Sequence, residues 1–400
     1  MKKTILLFIS TFTLLVTSCD NEKHEEVAPD DPLEYKYIRV MVSDEITNAV
    51  SVINTRTGET QSFEARFPKS ATYQTASGRF GVLVNTANNY VQLFDSGFEG
   101  HGDHVDVKGT PKWAAIIGDG NKPTHFKSKG NEIILFNDGD GTLDIGNESD
   151  FHVTGKKLSR INAGIAAHHG AMAKFDNGTY AITEKDGSVA GTLPERVKII
   201  DANGKTVFAS TLQTKGIHGN ATNGKVAVFG SSSGILVIEQ GGNQKLIPHP
   251  NDFGTAWFSS ILEARGAGKF IGYTAAAGAY LIDALANTVT PILANTDIMQ
   301  CKIDYAGNNL VVLLHSGEVS IYDLATNKLK KSAVILPATL KTETQKPQLE
   351  ATAKYLYVTQ PKSGEILQIP VSDLSSSKKI KVSATPYRLS ILGIESSEDH

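Results

Sequence analysis

The stretch VSIYDLATNKLKKS, residues 319–332, decides the fold. A short apolar run ends at Asp323, a turn closes on Asn327, and a charged strand-like run returns. The same grammar recurs in VSVINTRTGETQSF, residues 50–63, and VKIIDANGKTVFAS, residues 197–210. In each, an Asp or Asn is followed within four residues by Gly or Asn, the signature of a tight hairpin between antiparallel strands. Working outward, an apolar strand precedes each stretch. Further runs of this kind are Tyr37–Val42, Val50–Asn54, Phe80–Asn85, Tyr90–Phe94, Glu132–Phe136, Lys225–Phe229, Ile235–Glu239 and Asn309–His315. After residue 33 no long stretch keeps a helical period. A first strand for each unit begins near Tyr73, Thr124, His168, His218, Phe258, Cys301, Gln348 and Tyr387, a spacing of about 45 residues. The last has no second strand after it, and Tyr37–Val42 has no first strand before it. Pairing the two ends closes a ring. The fold class is therefore all-β, a β-propeller of eight four-stranded blades, with seven blades the alternative. A β-helix would need a shorter repeat.

The N-terminus reads as a targeting signal. Lys2 and Lys3 precede the apolar run ILLFISTFTLLV, residues 5–16, too short for an ordinary membrane span. It ends in Val16-Thr17-Ser18-Cys19, which resembles a bacterial lipobox, with Cys19 the lipidated residue. The expected division is 1–18 signal peptide, 19–33 acidic flexible tether, 34–395 propeller and 396–400 disordered tail. Localisation follows: the cell envelope of a Gram-negative bacterium, attached through a lipid anchor only. The formal net charge of −3 argues against nucleic acid as a partner. The two cysteines exclude a disulfide scaffold and a Cys-rich metal cluster, and Cys301 reads as a core residue. A monomer is expected.

Of eleven histidines, seven fall between residues 101 and 218. Three consecutive blade starts carry one: KPTHF with His125, AHHG with His168 and His169, and IHG with His218. First strands line the channel of a propeller, so equivalent positions on successive blades converge. Three imidazoles can hold a tetrahedral Zn2+ and leave a fourth position open. Adjacent strand residues face opposite ways, so His168 and His169 are alternatives. Between Asp95 and Pro111 lies an insertion with His101, Asp103 and His104, read as a mobile metal-binding loop. The strand count puts it on the rim opposite the channel histidines, so it folds back to join them or binds a separate ion. His152 and His249 read as structural, and NDGDG, residues 137–141, as a tight turn. No Ser-His-Asp or paired-carboxylate motif occurs, and an enzyme is not expected. A channel-metal hydrolase would have only Glu184 or Asp186 as a nearby base.

Several segments resemble the AztD-like periplasmic zinc metallochaperones, which are β-propellers. These are HGDHVDV, KPTHF, FNDGDGT, AAHHGAMAKFDNGTY, LPERVKIIDANGK and GIHGNATNGKVAVFGSSSGILV, between roughly residues 100 and 240. The resemblance implies a protein that binds Zn2+ and passes it to the solute-binding protein of a zinc ABC importer. It implies His125, His169 and His218 as ligands and relates His101, Asp103 and His104 to a His-rich loop. Val105 and Asp106 stand where further histidines would be expected, and the lipobox suggests storage or sensing near a membrane. The alternative is a β-propeller lipoprotein that binds a protein or glycan and no metal.

Overall fold

The computed structural model describes residues 31–102, 104–264 and 268–397. The leader, Cys19, most of the tether, Asp103 and the last three residues lie outside them. From Leu33 onward the chain forms one unit, a ring of eight four-stranded antiparallel sheets. Blades 1 to 7 begin with the inner strands Ala71–Gln74, Pro123–Lys129, Met172–Lys174, Ile217–Thr222, Ser260–Ala264, Ile298–Ile303 and Leu349–Ala351. Blade 8 takes its inner strand, Pro386–Gly393, from the C-terminus and its other three from the N-terminus. Ile38–Asp44 pairs antiparallel with that strand, Ile38 opposite Gly393 and Val42 opposite Leu389. The expected ring closure is thus the observed one.

Second and third strands alternate so that both faces are buried between blades. Phe80, Val82, Leu93 and Ile116 of blade 1 pack on Ile133, Leu135 and Phe151 of blade 2. Truncating one such aromatic to Ala costs about 3–5 kcal/mol by cavity formation. Outer strands are solvated; Lys328–Val334 is almost wholly exposed. Inner strands are half-buried and polar, because they border the channel instead of a core. Cys301 is buried among Ala264, Leu310 and Val312, and burial pushes its thiol up to about 12.

Two expectations need correction. The inner strand of blade 3 begins at Met172, not His168. The backbone from Asn162 to Ala171 crosses from blade 2 as an irregular connection, and His169 N–H donates to Thr192 O instead of to a strand. The insertion after Asp95 is not an open loop but a hairpin, Phe98–His101 paired with His104–Val107. Phe98 stacks edge-on against Tyr37 at 5.4 Å and lies 4.4 Å below the Arg39 guanidinium, which ties the hairpin to blade 8.

Candidate metal centre

His125 and His218 each lie near the start of an inner strand, His125 directly after an interruption of the strand register and His218 within one. The pairing shifts between Pro123 and His125 in blade 2, and between Ile217 and Asn220 in blade 4. Such bulges re-aim a side chain at a strand end. Gly219 supplies the second one: its φ of 75° suits glycine, and a Cβ there would lie 2.5 Å from Ser259 O. Gly170, after His169, is fixed by close approach instead, since a Cβ would meet the Phe136 ring at 2.2 Å. The glycine in "HHG" and in "IHG" is therefore part of how each histidine is placed.

The three imidazoles meet. His169 Nε2 lies 3.2 Å from His125 Nε2 and 3.1 Å from His218 Nε2. Ligands at about 2.0–2.1 Å from a tetrahedral zinc would stand about 3.3 Å apart. Hydrogen bonds on the far side of two rings settle their tautomers. His218 Nδ1 is 2.7 Å from the Ser259 carbonyl oxygen, which can only accept, so that nitrogen carries the proton. His169 Nδ1 donates to Asp138 Oδ2 at 2.6 Å, while Asp138 Oδ1 accepts from Gly170 N–H at 3.3 Å. In the neutral rings both Nε2 lone pairs consequently point at the centre. Burial, then the neighbouring His169 and His218, lowers the His125 pKa to about 3. The Asp138 hydrogen bond raises that of His169 above the usual value.

The sequence missed Asp138. It belongs to the DGDG turn of blade 2, whose Asp138 and Gly139 N–H groups donate to Lys122 and Asn121 carbonyls. The turn is tight, as its sequence predicts, but nothing in its spacing shows that one carboxylate reaches across to His169. His168 does not join the cluster. Its ring is buried against Phe136, with Nδ1 2.7 Å from Ala166 O and Nε2 2.9 Å from Thr183 Oγ1. Of the two, His169 is the one whose ring reaches the cluster.

His101 and His104 are cross-strand partners in the hairpin, rings stacked at 5.8 Å. They do not fold back. The hairpin joins the end of a third strand to the start of a fourth, whereas the imidazole cluster sits where first strands start, at the other end of the blades. A separate group forms there from Glu99, His101 and Asp106. Lys108 holds both of its carboxylates, at 3.3 and 2.8 Å, and Arg79 holds Glu99 at 3.0 Å. His152 Nε2 donates to Asp95 Oδ2 at 2.7 Å, and His249 Nε2 donates to Ser231 O at 2.8 Å, so both hold structure. Glu184 and Asp186 are taken by Lys198 and Arg196.

No family model matches the chain. Among curated proteins, the zinc chaperone AztD of Citrobacter koseri is 23% identical over 374 residues, covering 89% of this chain and 86% of the relative. Among solved structures, Citrobacter koseri AztD superposes with a TM-score of 0.81 at 21% identity, over 91% of this chain and all of the other. Its apo form gives 0.80 at 21% identity, over 89% of this chain and 98% of that one. A more distant likeness, TM-score 0.60 at 14% identity, is to the dihydro-heme d1 dehydrogenase NirN, over 91% of this chain and 76% of the other. The AztD comparison thus rests on sequence and fold together: over nearly nine-tenths of its length this chain resembles the zinc chaperone AztD.

Proposed function

We propose that the chain is a zinc-carrying protein whose cargo is held by Nε2 of His125, His169 and His218. One observation carries this. The Nε2 atoms of His169 and His218 approach to 3.1 Å with their Nδ1–H groups tied to acceptors, an arrangement that needs a proton or a cation between them. A third imidazole, held neutral by burial, completes the set. A borderline metal that favours nitrogen ligands suits the site, and the fourth position is left for water or for an acceptor's ligand. An open three-histidine site binds firmly yet lets an incoming group displace the protein stepwise. The likeness to a zinc chaperone favours zinc over copper or nickel.

The recipient in this reading is the solute-binding protein of a zinc ABC importer, with storage as the other use of the same site. The chain works as a monomer in the Gram-negative envelope, tethered through Cys19, and is not an enzyme. The histidines of the hairpin are not part of this site, and any ion that they hold is a separate one. Elemental mass spectrometry of the untagged protein tests the reading. About one zinc per chain is the expected content. Retention of no zinc, together with no binding tighter than micromolar, would leave a propeller that only displays an interaction surface.

A further inference from the structure

A cavity of about 720 Å3 occupies the middle of the propeller, and the inner strands of all eight blades line it. Small-molecule sites usually enclose roughly 300–1,000 Å3. On the strand carrying His125 its lining starts at Phe126; on that carrying His218 it starts at Ala221. It is thus distinct from the imidazole cluster but continuous with it along the same strands.

The charges facing it are unequal. Two carboxylates, Glu263 and Glu350, border the cavity, against five cations. Three of the five are accounted for: Lys302 pairs with Glu350 at 2.5 Å, Lys174 with Glu132 at 2.9 Å and Lys129 with Asp176 at 3.1 Å. The other two have no carboxylate within 4.0 Å among the described residues. Lys127 Nζ donates to the Asn220 carbonyl at 2.5 Å. Arg388 donates to the Tyr387 carbonyl at 3.2 Å and lies over the Tyr387 ring. An apolar wall stands beside them, the stacked rings of Tyr73 and Phe126 at 5.0 Å. Cations without a carboxylate in ion-pair contact, inside a narrow low-dielectric channel, concentrate anions, and Glu263 acts on Lys127 only from beyond that distance. The guanidinium fork matches the planar oxygens of carboxylate and the tetrahedral ones of phosphate.

We infer that the channel is a binding site for a small multivalent oxyanion, a di- or tricarboxylate or a phosphate, held between Arg388 and Lys127. Glu263 opposes it and sets its affinity. The site gives the protein a second ligand class, taken up independently of metal.

Calorimetric titration of the metal-free full chain with tricarballylate, and separately with inorganic phosphate, tests this. The expected result is one site with a dissociation constant below about 1 mM. Tighter tricarballylate binding assigns the site to carboxylates, and tighter phosphate binding to phosphates. Arg388→Gln and Lys127→Met should each weaken binding at least tenfold. Glu263→Gln should tighten it several-fold, a gain that a folding defect cannot imitate, while zinc content stays as in the parent. No heat with either anion would overturn the inference. So would binding that Arg388→Gln and Glu263→Gln both leave unchanged.

Discussion

Asp138 fixes the orientation of His169 and adds a negative charge behind the ring, so the imidazole becomes a better donor to a cation. Replacing it tests that role without removing a ligand. Asp138→Asn should lower zinc affinity by about 10–100-fold and leave the stoichiometry near one. The same contact sets the acid limit of binding. The raised pKa of His169 means that, in the metal-free protein, protons compete for this ring at a higher pH than for a free imidazole. His125, held neutral down to about 3, offers no such competition. Zinc affinity should therefore begin to fall while the pH is still above about 6.5, the ordinary histidine value. In Asp138→Asn that onset should move to lower pH. A competition titration repeated between pH 8 and 5 reads both effects.

At the scale of elements, the inner-strand starts turn out to be where placement is decided. Gly219→Ala should strain a left-handed residue and press a methyl on Ser259 O, shifting His218. The expected result is a lower melting temperature together with a tenfold or greater loss of zinc affinity. The hairpin provides the contrast. His101→Ala with His104→Ala should leave the tight zinc site unaltered, because the imidazole cluster is at the other rim. Inner strands were legible in the sequence because each opens a repeat with the same turn spacing. The register within them was not, so Met172 displaced His168 as the start of blade 3 and only the structure separated His168 from His169. The order of the hairpin was hidden for another reason. Its anchor residues, Tyr37 and Arg39, lie about sixty residues earlier, and no local pattern joins them to Phe98.

The whole molecule depends on one seam, where the C-terminal strand completes the N-terminal blade. Ring closure was readable from the two unmatched ends, whereas the acidic chemistry beside the seam was not. Buried Glu34 accepts hydrogen bonds from Thr352 and Tyr357, and Glu395 accepts one from Ala353 N–H. Burial, with Asp304 and Glu34 nearby, pushes Glu395 up to about 7. An acid whose folded pKa is raised contributes stability below its unfolded value of about 4.5, and loses it as the pH rises through about 7. Glu395→Gln should thus stabilise the propeller by on the order of 1 kcal/mol at pH 8 and hardly at all at pH 4. Thermal melts at the two values decide it.

The central claim is that three inner strands deliver three imidazoles to one cation. Its most direct test is a competitive Zn2+ titration of the parent chain beside the His125→Ala/His169→Ala/His218→Ala variant, with folding of both checked by circular dichroism. The account predicts one site tighter than micromolar in the parent and its loss in the folded variant. A folded variant that still binds one zinc as tightly as the parent would contradict it.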